Sequence, residues 1–523
     1  MGAHIFHAHR GMSQSVPRHS GQTRNRFDRF SMYRLTANLL CLIVYALLAA
    51  GCAVGPDFVR PKPPAVTQYA HEQAPEQTEA ADGQAQRFEM GAKIAEDWWR
   101  LFNSPELDAV VRKAIDGNRS LQSALAHLRQ SRENLRAGYG VFFPQINGSF
   151  NATREKFSPA QFGFPLSSST FSLYTLNGTV SYVVDIFGGE RRAVENLGAQ
   201  VDYQMQTTRA AYLTLVGNAV NTCIAEAAYR AQIEATEQIV GFQKQQLQTT
   251  ENQVKAGTVP YSNALAIRAQ LAATEATLPP LKKSLDQAQH LLTALVGQTP
   301  EQWEPPPLDL AGITLPVEVP VTLPSELTRR RPDILAAEAQ LHSASANIGV
   351  ATAALFPSLT LSGNYGSNSL DITKLLTPGT GFWSLGSDLA APIFHGGTLW
   401  FQRRAAIQAY QASLSDYQQA VVAGFQQVAD ALRALEFDAR TLEAQSESLV
   451  TAERTLRLVA ANYRSGLANY LQVLSADSQY QQARLGFVQA QALRLQDTTA
   501  LFVSLGGGWW EPEKCDAGKV TPQ

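Results

Sequence analysis

From Tyr174 to Ile186 the chain alternates: even positions read Tyr, Leu, Gly, Val, Tyr, Val, Ile, and Thr175, Asn177, Thr179 and Ser181 between them are polar until Val183. Period two over this length predicts a β-strand with one apolar and one polar face, of a length that suits a tilted membrane strand. Further along, Trp383, Leu385, Leu389 and Ile393 share one face opposite Ser384, Gly386 and Asp388. Each strand has a partner just before it, over residues 146–157 and 358–367, so two β-hairpins are expected, at about 145–187 and about 358–394. Tyr174, Tyr182 and Trp383 on the apolar faces suit an aromatic girdle at a membrane interface. Alternation alone is also compatible with ordinary amphipathic hairpins on a soluble core.

After each hairpin the period changes. Tyr410, Leu414, Tyr417, Val421, Phe425, Val428, Leu432, Leu435, Ala439, Leu442, Leu449, Leu456, Ala460 and Tyr463 form one stripe, interrupted by the polar Ser446 and Glu453. Their spacing of about 3.5 is that of a helix supercoiling on its neighbours. Residues 190–259 contain no proline, nor do residues 394–511. Long helices are expected at about 189–256 and 398–464, each a rod of about 100 Å at 1.5 Å per residue. At Gly257 and Gly466 each rod reverses into a shorter helix, at about 261–297 and 468–505. An earlier helix opens at Ser104-Pro105-Glu106 and breaks near Gly117, while residues 70–90 read as a polar surface linker.

The chain says these things twice. Val141-Phe142-Phe143-Pro144 is echoed by Ala354-Leu355-Phe356-Pro357, Ile186-Phe187-Gly188-Gly189 by Ile393-Phe394-His395-Gly396-Gly397, and Lys255-Ala256-Gly257-Thr258 by Arg464-Ser465-Gly466-Leu467. Landmarks keeping their order at an offset of roughly 210 residues indicate a tandem duplication. The reading is a first repeat over 101–300, a proline-rich linker over 301–324, a second repeat over 325–508 and a tail over 509–523. The fold class is mixed α and β, mostly α.

Four membrane strands cannot close a barrel, and an open edge in lipid leaves backbone groups unsatisfied at several kcal/mol each. Three copies would supply twelve strands. The expected assembly is a trimeric 12-stranded outer-membrane β-barrel, four strands per chain, continued by a long α-helical coiled-coil barrel in the periplasm.

The start of the chain reads as a processing segment. Arg24, Arg26, Arg29 and Arg34 precede an apolar run over 39–50, too short for a permanent span, that ends Leu48-Ala49-Ala50-Gly51-Cys52. This resembles a bacterial lipoprotein signal over 1–51, with Met32 as the natural start and Cys52 as the lipidated residue, carrying diacylglycerol and an N-acyl chain. Alanine at 53 implies transfer to the outer membrane. The mature N-terminal region, 52–100, is an extended proline-containing lead and linker.

Composition narrows the function. A formal net charge of −2, with no dense Lys/Arg block after the N-terminus, speaks against nucleic acid. No phosphate-binding glycine loop, His-Glu-x-x-His or Gly-x-Ser-x-Gly motif is present, so no catalytic and no metal-ligating residue is assigned. His395 reads as a turn residue and Cys223 as a buried small hydrophobe.

Leu327-Thr328-Arg329-Arg330-Arg331-Pro332-Asp333-Ile334, then Ala337-Glu338, Ile348-Gly349-Val350-Ala351 and Phe356-Pro357, resembles the second-repeat signature of the TolC-like outer-membrane efflux proteins. Cys52-Ala53-Val54-Gly55-Pro56-Asp57-Phe58 resembles their NodT-type lipoprotein branch. The resemblance implies a homotrimer acting as exit duct of a tripartite pump, with a periplasmic adaptor and an inner-membrane, proton-driven transporter of the resistance-nodulation-division type. It implies that the tips, with Lys255, Gly257, Arg464, Gly466 and Leu467, meet the adaptor. It also places the periplasmic aperture at Leu471, Gln472 and Ser475, where relatives often carry aspartate at one or both of the latter two. A type I protein-secretion duct and a lipid-anchored coiled-coil scaffold are the other readings, and an anchored enzyme lacks any signature.

Overall fold

The computed structural model describes residues 53–508 except 67, 71–74, 82, 159–162 and 164–166. The signal expected over 1–51 with its start at Met32, the lipidation expected at Cys52 and the tail over 509–523 therefore lie outside the described residues.

The two halves repeat one order of elements. Ser104 accepts a hydrogen bond from the Leu107 N–H and Pro105 occupies the first turn, opening helix α1 (Pro105–Gly117). Asn118 ends it and caps α2 (Arg119–Gly138). Strands β2 (Gln145–Phe157) and β3 (Ser169–Val184) follow, then α3 (Gly189–Lys255), α4 (Tyr261–Glu275) and α5 (Leu278–Leu295). The second half has α6 (Pro332–Ala353), β5 (Ser358–Ser369), β6 (Gly381–Ala390), α7 (Thr398–Arg464) and α8 (Tyr470–Ser504). Two short strands, β1 (Arg87–Met90) and β4 (Glu318–Val321), pair in parallel beside the helices.

Helices α3 and α7 are each 67 residues long, rods of about 100 Å. The region read as one helix over 261–297 is two. Pro279 and Pro280 lie at the start of α5, and proline without an N–H fits a first turn and not a helix interior. Ile393, read as the last residue of a strand face, lies beyond β6, which stops at Ala390 before Pro392.

The core sits midway along the rods. Val216, Val220 and Ile224 of α3, Leu432 and Leu435 of α7 and Leu501 and Phe502 of α8 pack with Trp98, Phe102, Val319 and Val321. Cys223 is fully buried there, and burial pushes its thiol up. The middle of the predicted stripe, from Tyr417 to Leu442, is buried except for half-buried Phe425, whereas its ends are half-buried in the single chain.

The described residues between 75 and 90 do more than link along the surface. Arg494, fully buried on α8, donates to Gln86 Oε1 (3.2 Å), to Thr78 Oγ1 (3.2 Å) and to the carbonyl of Gln84 (3.2 Å). Thr78, Ala81 and Gln86 are thereby buried. Such a contact joins positions more than 400 apart in sequence and leaves no periodic signal.

Near this clasp, buried Asp438 of α7 shares a hydrogen bond with Asp497 of α8. Burial first, then the bond and charge of Asp497, push the Asp438 carboxyl up to about 7, against the opposing pull of Arg494. A carboxyl raised on folding contributes stability that is fully present below its unfolded value near 4 and is lost as pH rises through about 7. The melting temperature is expected to fall by roughly 2–5 °C between pH 5 and pH 8, and Asp438→Asn to flatten that fall. An unchanged pH slope in the variant would exclude the pair as its source.

Candidate functional site

The four long strands form one antiparallel sheet in the order β2-β3-β5-β6. Residues directly opposite in such a sheet share a face. Register therefore gathers Ile146, Phe150, Ala152, Tyr174, Leu176, Val180, Tyr182, Leu359, Leu361, Tyr365, Trp383, Leu385 and Leu389 on one side. Trp383 is 72% and Leu385 80% exposed, which apolar side chains do not tolerate in water as a contiguous patch of this extent. The other side carries Asn147, Ser149, Asn151, Asn177, Thr179, Asn364, Ser384 and Asp388. There Ser149 donates to Asn177 Oδ1, and Asn177 Nδ2 donates to Asn364 Oδ1 (3.3 Å). Strands β2 and β6 are open edges.

The three aromatics read as a girdle all lie on the apolar face. Tyr182 stands two residues from the helix end of β3. Tyr174 stands eight residues above it, a rise of roughly 20 Å for a strand tilted by about 40°. Trp383 pairs with Tyr365, itself opposite Gly178.

Where the sheet meets the helices, the lead from Ala53 onward is fastened. Val54 N–H donates to the Phe187 carbonyl (2.9 Å). Ala53 lies so close to Gly188 that a Cβ on that glycine would fall 2.5 Å from the Ala53 Cα. Gly55, at φ +102, packs on Gly349 of α6 with the same 2.5 Å clearance. Buried Arg192 of α3 donates to Asp57 (2.6 Å) and Glu195 (2.6 Å), and Phe58 stacks on His342 at 4.4 Å. The segment from Ala53 to Phe58 and the motif around Gly349 thus meet in space, at the level of the first strand–helix junction. Arg192 carries this contact; nothing in its own sequence neighbourhood marks it.

Arg331, from the arginine run, is also buried. It donates to the Ser504 carbonyl (2.6 Å), to Asp333 (2.7 Å) and to Gln427 (2.7 Å), closing the C-terminus of α8 against α6 and α7. Hydrogen bonds from a charged donor contribute about 1.5–3 kcal/mol each, so this part of the signature holds the scaffold.

At the far end of the rods, Gly257 (φ +73) and Gly466 (φ +75) stand just past α3 and α7. In both tips the glycine N–H reaches back three residues and the next N–H five, from Thr258 to Gln253 (3.0 Å) and from Leu467 to Asn462 (2.8 Å). This is the left-handed glycine stop of a helix. Lys255 and Arg464 close the last turns, where a cation complements the helix dipole. Leu467 is 80% exposed.

Helix α8 begins beyond the second tip with a reciprocal cap: Asn469 Oδ1 accepts from the Gln472 N–H (3.0 Å), and Gln472 Oε1 accepts from the Asn469 N–H (2.9 Å). Leu471, Gln472 and Ser475 are exposed on one face of α8, opposite buried Val473, Ala476 and Asp477. Asp477 points into the chain, accepting from Gln243 of α3 (2.8 Å) and Gln481 (2.6 Å), and burial pushes its carboxyl up.

The outer membrane efflux protein family matches residues 110–298 and 323–507. The chain is similar to a probable efflux pump outer membrane protein, TtgC, of Pseudomonas putida, 28% identical over 479 residues that cover 91% of this chain and 97% of that protein. It is 26% identical over 486 residues to a probable outer membrane lipoprotein, SilC, of Salmonella typhimurium, covering 92% of this chain and all of that one. Among solved structures, the outer-membrane channel OprN superposes with a TM-score of 0.79 at 27% identity, over 88% of this chain and all of that chain.

Proposed function

The chain belongs to the outer membrane efflux protein family, and on that premise we propose that three copies form the exit duct of a tripartite pump for small molecules. It is an outer-membrane channel protein, not an enzyme. The observation that carries the proposal is the sheet: one apolar face, one polar face and two unpaired edges, standing on rods of about 100 Å. Joining β6 of one copy to β2 of the next satisfies both edges, turns the apolar face to lipid and the polar face to a water-filled lumen. The same closure covers the half-buried ends of the α7 stripe.

In this reading the lumen conducts passively, and the tips at Gly257 and Gly466 meet a periplasmic adaptor that links the duct to a proton-driven inner-membrane transporter. Diacylglycerol and an N-acyl chain on Cys52 tether the lead beside the strand–helix junction, at the inner surface of the outer membrane. Each buried CH₂ contributes about 0.8 kcal/mol, so such an anchor supplements the barrel. The similarity to an efflux pump component and to an outer membrane lipoprotein supports small-molecule efflux over protein secretion.

Purified protein is expected to run as a trimer in detergent, to conduct ions in planar bilayers and to yield an N-terminal peptide acylated at Cys52. A monomer without conductance would overturn the duct.

A further inference from the structure

On the apolar face of the sheet every residue but two is uncharged. The exceptions are Arg154 and Lys156, opposite Ser172 and Thr170 at the end of β2 farthest from the helices. Glu155 between them belongs to the other face, as does Asp388 of β6. Cations are thus confined to one face and one end, and the acids of these strands to the other face. Neither cation has an ion-pair or hydrogen-bond partner among the described residues.

Height gives the arrangement its meaning. Arg154 is level with Ser172, ten residues along β3 from Tyr182, or roughly 25 Å along the axis of a barrel whose strands tilt by about 40°. That is the height of the apolar band of an outer-membrane barrel. From the helix end upward the face reads tyrosine, an apolar band, Tyr174 beside Ala152, and then the two cations. With Tyr182 at the inner interface, Arg154 and Lys156 stand at the outer headgroups, pointing at lipid.

We propose that Arg154 and Lys156 bind the phosphates of an anionic glycolipid packed around the outer rim of the barrel. A trimer presents six such cations as a belt, two per copy. The inference rests on the trimeric duct proposed above. The ligand chemistry is a phosphorylated headgroup held at a fixed height by its own acyl chains, which lie along Ala152, Phe150 and Leu176. The inner end of the face offers no charge, so phospholipid headgroups there gain nothing comparable.

Native mass spectrometry of the purified trimer, titrated with bisphosphorylated lipid A and separately with phosphatidylglycerol, tests this. A cation near an anionic lipid surface contributes enough that removing two should weaken lipid A binding about tenfold or more. Arg154→Gln with Lys156→Gln is therefore expected to lose that binding, with phosphatidylglycerol retention and conductance unchanged. Each single substitution should show part of the loss, which serves if the double variant gives no trimer. Glu155→Gln, on the other face, should change nothing. Equal lipid A binding by the variant trimer, or an equal loss of both lipids, would overturn the glycolipid site while leaving the duct intact. A wild-type chain that forms no conducting trimer would overturn the duct and this inference with it.

Discussion

Replacing Gly466 by tryptophan is expected to abolish resistance to the small molecules exported through this duct, in cells that depend on it, while leaving a trimer in the outer membrane. The glycine sits at φ +75, where a residue with a Cβ is strained by about 1–2 kcal/mol. Nothing lies within 4 Å of where that Cβ would stand, so the side chain leaves the backbone into open space. A cost of this size at an exposed tip does not unfold a rod fastened by the core around Val220, Leu435 and Phe502. What the indole would block is the approach of the adaptor proposed to meet the tip. Gly466→Ala carries the same φ penalty without the bulk and should retain most resistance. Inhibitory concentrations should fall to those of a channel-less strain for tryptophan only. Full resistance with tryptophan in place would sink the docking role; equal loss with alanine would make Gly466 a turn and nothing more.

How much of this was written in the sequence depends on whether a feature is periodic or a single contact. The alternation from Tyr174 to Ile186 repeats every two residues and identified its strand and its lipid face at once, because the pleat forces the same side chains outward. The stripe from Tyr410 to Tyr463 did the same for the second rod. The glycines at 257 and 466 were legible because a helix stop needs positive φ. By contrast, Arg192 on Asp57, Arg331 on the Ser504 carbonyl and Arg494 on Gln86 each join distant segments through one guanidinium. An arginine within or beside a helix looks like a solvated charge until its partner is located. The cation belt was hidden for another reason. Arg154 and Lys156 acquire meaning only once β2 is in register with β3 and their face is known. Asp477 is an intermediate case: two residues past Ser475 it lies about 200° round the helix from it, but only the fold supplies Gln243 as its partner.

The aperture is where residue chemistry should have its largest effect on conduction. Leu471 is 69% exposed in the single chain, beside Gln472 and Ser475 on the same face of α8, with Val473 and Asp477 turned inward. If the tips of three copies converge, this face looks onto the threefold axis, and three leucines form an apolar ring that closes by dewetting. The Gln472 carbonyl is engaged in the cap, its Oε1 accepting the Asn469 N–H at 2.9 Å, so the side chain offers that ring no charge and no free acceptor. Asp477 cannot add a charge, because its carboxylate is held by Gln243 and Gln481 inside the chain. An aperture without carboxylates lacks the ligands that bind multivalent cations. Reconstituted trimers should therefore show little block by such cations, and Leu471→Ala should raise resting conductance several-fold by widening and wetting the ring. Ser475→Asp places three carboxylates on the same face one turn deeper and should create cation block where none existed. Micromolar block of the unmodified trimer would mean that other carboxylates line the aperture, and the apolar seal would be wrong.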